Sequence, residues 1–321
     1  MSFAGSPDRV EARLVPEAGY EFDSFRISGL PRRPGTELAR ALLLAGRAPW
    51  ACGKILAARR PDVVLGGGGY VAGPIVLAAA RRRLPAALME ADAHLGLANR
   101  LAAPLARRVF LAYPISGRDG PKYVVTGRPI PDNSRAVDRA EARRRFELPP
   151  EGPVVLVFGG SQGSQTLNEL ALDAWAEQGP AVLHLSGDRH WGELRARVAR
   201  PDYKLLPFTK EFGAALGAAD LVVARAGGSI WEVAAAGKPA VVVPFPHATA
   251  DHQSANARYF GSGIEIVRDA EAARVVPGLV AELLADPERM RRMAAELRAR
   301  ARPDAAEEVA EGVLALVEAR G

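Results

Sequence analysis

Three segments of the sequence could bind an anion, because each carries glycines between an apolar run and a helical pattern. They are VVLGGGGY at 63–70, VLVFGGSQGSQ at 155–165 and LVVARAGGSI at 221–230. A strand that passes through glycines into a helix brings unpaired backbone N–H groups and the positive end of the helix dipole together, and this arrangement binds phosphate. The alternative for 63–70 is a tight turn that only needs the backbone freedom of glycine.

The second and third loops are expected at the carboxyl ends of parallel strands, where a nucleotide diphosphate can bind. Neither matches GxxxxGK[ST] or GxGxxG, which disfavours P-loop NTPases and common dehydrogenases. Glu232, one turn into the following helix, either accepts hydrogen bonds from ribose hydroxyls or is a first-turn glutamate favoured by the helix dipole. The candidate phosphate-binding residues of the two loops are Gly160, Ser161, Gln162, Gly163, Gly227, Gly228 and Ser229.

The segment PFPHATADHQSANARYF allows two interpretations. His247, Asp251 and His252 could ligate a metal, but no further ligand cluster accompanies them. Gln253 and Asn256 are three residues apart, so on a helix capped by Asp251 they share a face and offer amide groups to sugar hydroxyls. The sequence also has no Asp-x-Asp pair. We favour the sugar site and expect no metal.

The charge of the chain is unevenly distributed. Residues 1–130 hold 19 Lys and Arg against 10 Asp and Glu, a net charge of +9, whereas residues 131–321 hold 23 against 27. Arginine clusters flank the apolar run ALLLAGRAPW at 41–50. Basic residues around apolar side chains suit an anionic membrane surface, and solvated helix ends are the alternative for any one cluster. The aromatic content of 6%, without a recognition motif, disfavours nucleic acid.

Short apolar runs alternate with helical stretches, which predicts an α/β fold of parallel strands covered by helices on both faces. The runs begin near residues 61, 85, 108, 122, 153, 181, 203, 220 and 240. We expect a first domain at 1–130, a proline-rich linker with one helix at 131–152, a second domain at 153–302 and a terminal helix at 303–321. The single cysteine, Cys52, excludes an internal disulfide.

Several stretches resemble the MurG family of peptidoglycan glycosyltransferases, in the family's order and almost from end to end. They include PDVVLGGGGYVAGP, LGLANRLAAPLARRVFLAYP, VTGRPI, VLVFGGSQGSQTLN, ADLVVARAGG and EVAAAGKPAVVVPFPHATADHQSANAR. The resemblance implies a GT-B fold, with two Rossmann-like doubly wound domains that face a cleft. It implies inverting transfer of GlcNAc from UDP-GlcNAc to the C4 hydroxyl of MurNAc in undecaprenyl-linked lipid I, without cofactor or metal, by a cytoplasmic protein peripheral to the inner face of the plasma membrane.

The resemblance also implies roles for individual residues. The first domain would hold the acceptor at the membrane side, and the second would bind UDP-GlcNAc, with the terminal helix returning to the first. The implied donor contacts are the loop around Ser161 and Gln162 with the diphosphate, Phe208 and Thr209 with uracil, Glu232 with ribose, and Gln253 and Asn256 with the sugar. The implied acceptor contacts are Gly67, Gly68, Gly69, Tyr70, Glu90 and Asn99.

The start of the chain departs from the family. MurG chains open with a strand and a G-G-T-G-G-H loop whose histidine is a proposed catalytic base, whereas this sequence begins at MSFAGSPDR, which resembles the end of the second strand. We therefore expect the base to lie upstream of Met1 and the chain as given to be truncated, with a poorly stable first domain and weak or absent catalysis. His94 is a substitute base, or a loop histidine without a chemical role.

Two other functions fit the same motifs. One is a GT-B transferase with another lipid acceptor, such as diacylglycerol. The other is a non-catalytic UDP-sugar-binding homologue, which would bind UDP-GlcNAc without turnover. A UDP-GlcNAc epimerase shares the architecture but needs no lipid, and the basic first part of the chain disfavours it.

Overall fold

The computed structural model describes residues 1–29, 35–189, 191–246 and 252–319. The chain forms two compact units, one of Met1–Thr126 with Ala306–Gly321 and the other of Gly127–Ala305. Each unit contains parallel β-sheet with helices between successive strands. The predicted α/β class, with two parallel-sheet domains, is confirmed.

All nine predicted apolar runs form strands. They are β3 (Val64–Gly66), β4 (Ala86–Glu90), β5 (Arg108–Leu111), β6 (Tyr123–Val125), β7 (Val154–Phe158), β8 (Ala181–Leu185), β9 (Tyr203–Leu206), β10 (Leu221–Ala224) and β11 (Ala240–Val242). Every residue of β7 and β10 is buried, since helices cover both faces of the sheet. Three short strands with exposed residues lie outside the predicted runs: β1 (Ser2–Gly5), β2 (Glu21–Ser24) and β12 (Ile264–Ile266).

Helices connect the strands throughout the described residues. They are α1 (Glu11–Glu17), α2 (Thr36–Arg59), α3 (Gly69–Arg81), α4 (Leu97–Ala102), α5 (Arg139–Arg145), α6 (Gln165–Trp175), α7 (Trp191–Leu194), α8 (Phe212–Ala218), α9 (Ile230–Ala235), α10 (His252–Arg258), α11 (Ala272–Ala285), α12 (Pro287–Arg300) and α13 (Ala305–Glu318). This alternation places a loop and a helix N-terminus after most strands, which is where the predicted site residues lie.

The first unit contains two parallel sheets, β1-β2 and β3-β4-β5-β6. Helix α3 contacts both α2 and α4, and its Val76 packs with Leu88 of β4 on one face of the larger sheet. The adjacent residue Ala87 points to the other face, because side chains alternate along a strand. There it packs with Val309 and Leu316 of α13. The terminal helix is therefore part of this unit.

The second unit has one sheet with the strand order β12-β11-β10-β7-β8-β9. The chain runs outward from β7 to β9, crosses back to β10 and then runs outward to β12. Its direction reverses between β7 and β10, which are paired neighbours. Because crossovers are right-handed, the connections that leave these two strands pass to opposite faces and open a crevice. Such a switch point is where doubly wound sheets bind ligands.

The predicted linker region carries the predicted helix, α5. Asp138 is its N-cap and accepts hydrogen bonds from the N–H groups of Ala140 and Glu141. Arg143 of this helix is 1% exposed and pairs with Asp220 at 2.7 Å. It also donates to three carbonyl oxygens, among them that of Ala218. These bonds attach the segment to the second unit, at the amino ends of β7 and β10.

Candidate functional site

A cavity of about 470 Å³ opens at the carboxyl ends of β7 and β10 in the second unit. It coincides with the switch point of the sheet, so the fold places it where a nucleotide would bind. The residues that line it come from the loops after β7, β10 and β11 and from the starts of α6 and α10. They are Gly159, Gly160, Gly163, Ser164, Gln165, Thr166, Arg225, Gly227, Ser229, Phe245 and Gln253.

The glycine loop after β7 lies against the turn that follows β8. Gly163 has φ +74°, and a Cβ atom on it would lie 2.0 Å from the carbonyl oxygen of Ser186. The opposing Gly187 has φ +82°, and its Cβ would lie 2.6 Å from the Gly163 nitrogen. Only glycines allow two backbones to approach this closely. The loop therefore holds one shape, with Ser161 and Gln162 exposed at its tip.

Helix α6 begins at the inner end of this loop. Ser164 is its N-cap, and the serine Oγ accepts a hydrogen bond from the Leu167 N–H at 3.4 Å. The first N–H groups of a helix have no partner inside the helix, and Gln165 and Thr166 of this first turn line the cavity. The positive end of α6 therefore meets the cavity and favours an anion there.

Arg225 adds a buried positive charge to the cavity and was not among the residues predicted from sequence. It is 8% exposed, and its Nε donates to Ser164 Oγ at 3.0 Å. Its Nη1 donates to the carbonyl oxygen of Val243 at 3.0 Å and forms an ion pair with Asp269. The signal that could have identified it is an arginine directly after a buried strand, at the start of a glycine loop.

The loop after β10 supplies Gly227 and Ser229 to the cavity. Glu232 is the third residue of α9 and is half-buried. Its carboxylate forms no hydrogen bond or ion pair with the described part of the chain. The carboxylate is therefore available to a ligand, and its contact with ribose stays a prediction.

Phe208 and Thr209, the predicted uracil-side residues, follow β9. The Phe208 side chain is 57% exposed. Thr209 Oγ1 accepts a hydrogen bond from the Glu211 N–H at 3.0 Å and so closes a turn before α8. The turn leaves an aromatic ring in solvent at the carboxyl edge of the sheet, where it is able to stack on a base.

The predicted sugar-binding amides lie on α10. Gln253 lines the cavity, and its Oε1 accepts a hydrogen bond from the Phe245 N–H at 2.8 Å. That bond leaves the Gln253 amide nitrogen as the group that faces a ligand. Asn256 is only 1% exposed. His247 and Asp251, considered as metal ligands and as a helix cap, lie outside the described residues.

Behind the glycine loop, a chain of hydrogen bonds runs through the core from Tyr203 to Ser186. The Tyr203 hydroxyl lies 2.9 Å from His184 Nδ1, and His184 Nε2 lies 3.0 Å from Asn168 Oδ1. Asn168 Nδ2 donates to the Ser186 carbonyl oxygen at 3.0 Å. Because Oδ1 only accepts, His184 carries its proton on Nε2. The carbonyl that contacts Gly163 is thereby held in place.

We expect acid to destabilise the second unit through His184. Burial lowers the pKa of His184 from 6.5 to about 3, so the unfolded chain binds a proton that the folded chain does not. The free energy of unfolding should fall by about 1.4 kcal/mol per pH unit as the pH drops below about 6.5. Urea unfolding between pH 7 and pH 4 measures this slope, which His184→Gln should reduce. The same slope in both proteins would contradict the assignment.

The first unit carries the remaining glycine loop, at the end of β3. Gly68 and Gly69 have φ +98° and +65°, and α3 begins at Gly69. Gly67 and Gly69 are exposed at this helix N-terminus, where unpaired N–H groups favour an anion. The hydroxyl of Tyr70 accepts a hydrogen bond from Arg9 Nε at 3.0 Å. Arg9, which no sequence pattern singled out, thus adds a cation beside the loop.

Glu90 and Asn99, predicted to contact an acceptor, bind each other. Asn99 Nδ2 donates to Glu90 Oε2 at 2.9 Å and to the Met89 carbonyl oxygen at 2.8 Å. Three backbone N–H groups, including that of Gly96 at 2.9 Å, also donate to the Glu90 carboxylate. The pair therefore shapes the turn after β4, in which His94 lies half-buried. Acceptor contact by the pair, and a catalytic role for His94, stay predictions.

Known proteins match the chain over nearly all of its length. Residues 2–111 match the glycosyltransferase family 28 N-terminal domain, and residues 154–309 match the C-terminal domain of that family. A Rubrobacter xylanophilus protein named "UDP-N-acetylglucosamine--N-acetylmuramyl-(pentapeptide) pyrophosphoryl-undecaprenol N-acetylglucosamine transferase" is 40% identical, over 98% of this chain and 94% of the relative. A Salinibacter ruber protein of the same name is 39% identical, over 98% of this chain and 88% of the relative.

Solved structures agree with this relationship. The MurG of Acinetobacter baumannii matches with a TM-score of 0.76 at 26% identity, over 98% of this chain and 90% of that chain. The calicheamicin glycosyltransferase CalG4 shares the fold over 98% of this chain and 90% of that chain, with a TM-score of 0.65 at 18% identity. These neighbours confirm the predicted GT-B fold class. The chain belongs to glycosyltransferase family 28 and, within it, to the MurG family.

Proposed function

We propose that this chain transfers GlcNAc from UDP-GlcNAc to the C4 hydroxyl of MurNAc in undecaprenyl-linked lipid I, with inversion, and is a hexosyltransferase of peptidoglycan synthesis. The observation that carries the proposal is the cavity at the β7–β10 switch point, where the N-terminus of α6 and the buried Arg225 meet. A nucleoside diphosphate complements both positive charges. The names of the 40% identical relatives state the donor sugar and the lipid acceptor.

The chemistry follows from the charge that develops at the cavity. The bond between the anomeric carbon and the diphosphate oxygen of the donor breaks as the acceptor oxygen attacks from the opposite face, and this single displacement inverts the configuration. The departing UDP gains negative charge, which the α6 N-terminus and Arg225 stabilise without rearrangement. The proton of the acceptor hydroxyl passes to a general base.

Transfer of radiolabelled GlcNAc from UDP-GlcNAc to a lipid I analogue tests the proposal. Glu232→Gln should lower kcat/KM by about 10- to 100-fold, since a hydrogen bond to a charged group contributes about 1.5–3 kcal/mol. Glu177→Gln, an exposed glutamate of the same unit, is the matched control and should change nothing. UDP-GlcNAc binding without transfer would favour the binding-protein alternative, and an unchanged kcat/KM in Glu232→Gln would exclude the ribose contact.

On the acceptor side, we assign the lipid diphosphate to the glycine loop of the first unit. Gly67 and Gly68 precede a helix of 13 residues, α3, which begins at Gly69, and Gly67 and Gly69 are exposed at its N-terminus. Arg9, held by the Tyr70 hydroxyl, provides a cation at the same place. Backbone N–H groups with a neighbouring arginine suit a diphosphate.

Exposed apolar side chains of the first unit support peripheral binding to an anionic membrane surface. On α2, Leu42, Leu43 and Trp50 are 55%, 56% and 69% exposed, and on α4, Leu101 is 69% exposed. The Lys54 ammonium lies 3.8 Å from the centroid of the Trp50 ring. Apolar side chains beside cations bind the interface of anionic bilayers. Among the described helices, none combines the length and the apolar character needed to cross a bilayer.

Trp50→Ser is expected to weaken binding to vesicles that contain anionic lipid by about tenfold, because burial of a large apolar side chain contributes about 1.5–3 kcal/mol. Sedimentation of the protein with vesicles measures the loss. Leu314→Ser on α13 is the matched control, since Leu314 is also exposed, at 61%, in the same unit. Equal vesicle binding by the two variants would contradict the assignment of this surface.

A further inference from the structure

Residues 127–129 have a fixed backbone within the second unit. Gly127 has φ +81°, and a Cβ atom on it would lie 2.4 Å from the Arg302 Cβ and 3.2 Å from the ring of Trp231, which is fully buried. Pro129 restricts its own φ and disfavours a helical conformation for the residue before it. The side chain of Arg128 therefore extends from a backbone held on both sides.

The guanidinium of Arg128 lies flat on Gly228. A Cβ atom on Gly228 would lie 2.3 Å from Arg128 Cζ, 2.3 Å from Nη1 and 2.7 Å from Nη2. An edge-on approach would leave the carbon farther away than the nitrogens, so these similar distances show that the plane faces the glycine. The guanidinium, with its N–H groups, therefore lies beside the loop whose Gly227 and Ser229 line the cavity.

Those N–H groups have no acceptor in the part of the chain that the structure describes. Arg128 is half-buried, and no hydrogen bond or ion pair joins it to a described residue. Arg143 and Arg225, which are more deeply buried, each donate to carbonyl oxygens and to a carboxylate. A guanidinium that loses water without gaining acceptors destabilises the protein. An anionic ligand would offset that loss.

We propose that Arg128 is a donor-binding residue that hydrogen-bonds the diphosphate of the nucleotide sugar, in addition to Arg225. The inference rests on the proposed donor and adds a residue to that site. The planar fork of a guanidinium matches two phosphate oxygens. Because Gly228 has no side chain, the fork lies against the loop beside the cavity. Arg143, which lies away from the cavity, donates to three carbonyl oxygens of the protein.

Calorimetric titration of uridine, UMP and UDP separates the two roles. Arg128→Gln should weaken UDP binding by about 10- to 100-fold and leave uridine within about twofold, since only the phosphates lose a charged partner. The UDP affinity of Arg128→Lys should lie between those of the wild type and Arg128→Gln, because lysine keeps the positive charge and loses the planar pair of N–H donors. Arg135→Gln is the control, because Arg135 is an exposed arginine of the same segment that pairs with Asp132. This variant should bind all three ligands as the wild type does.

Gly228→Ala provides a second, independent variant. The added methyl group would occupy the place of the guanidinium. This variant keeps the charge of Arg128, and its affinity for UDP should fall more than its affinity for uridine. Equal loss of uridine and UDP in Arg128→Gln, or unchanged UDP binding, would overturn the inference. If Arg128→Gln bound UDP as the wild type does, GlcNAc transfer by the wild-type protein would still support the proposed function. A wild-type protein that does not bind UDP would overturn both.

Discussion

Gly163→Ala is expected to raise the Kd for UDP-GlcNAc at least about 100-fold and to lower transfer in proportion. Two penalties combine in this substitution. At φ +74° an alanine is strained by about 1–2 kcal/mol, and its Cβ would lie 2.0 Å from the Ser186 carbonyl oxygen. That oxygen is fixed by Asn168 and, through it, by His184. The glycine loop must therefore move, and the first turn of α6 loses its position against the diphosphate.

Gly152→Ala is the matched control for this variant. Gly152 lies in the same unit with φ +81°, and a Cβ atom on it would meet nothing within 4 Å. The control therefore introduces the strain of a left-handed alanine without the collision, at a cost of about 1–2 kcal/mol in stability. Thermal unfolding and calorimetric titration of both variants separate stability from binding. If Gly163→Ala bound UDP-GlcNAc as well as Gly152→Ala does, the close approach would not control the donor site.

Arg225→Met is expected to lower kcat/KM by about 100- to 1,000-fold, the range found when one preorganised donor to a developing negative charge is removed. The substitution removes the buried cation of the cavity and the bonds that Arg225 donates to Ser164 Oγ and Asp269. Binding of UDP should weaken more than binding of uridine, since the charge acts on the phosphates. Steady-state transfer assays and titration of both ligands measure the two effects.

A loss of stability in Arg225→Met has to be separated from a loss of UDP binding, and Arg143 provides a matched control. Arg143 is also buried in the second unit and pairs with Asp220, but it lies at the amino ends of β7 and β10. Loss of one member of a buried pair costs about 3–5 kcal/mol, and less where the partner is part-exposed as here. Arg143→Met should therefore lose stability and still bind UDP at a temperature where it is folded. Equal loss of UDP affinity in both variants would assign Arg225 a structural role only.

Local sequence patterns were sufficient to predict nine of the twelve described strands and the glycine loops. A parallel strand covered on both faces needs a continuous apolar run, and nine such runs are visible, each bounded by turn residues. Glycines after β3, β7 and β10 mark backbone conformations that other residues rarely adopt. The edge strands β1, β2 and β12 escape this reasoning, because their short, partly exposed segments carry no continuous apolar run. The family resemblance supplied the function because its motifs span almost the whole chain.

The sequence by itself determined the α/β class, the position of the glycine loops and the family; only the tertiary structure decided which side chains meet. Glu90 pairs with Asn99, and Arg225 and Arg128 reach loops that are distant along the chain. Gly163 needs to be glycine because of Ser186, 23 positions later in the sequence. Such contacts join residues that the fold brings together at the ends of neighbouring strands. A periodic pattern records only which face of its own element a residue occupies, so it carries no information about these partners.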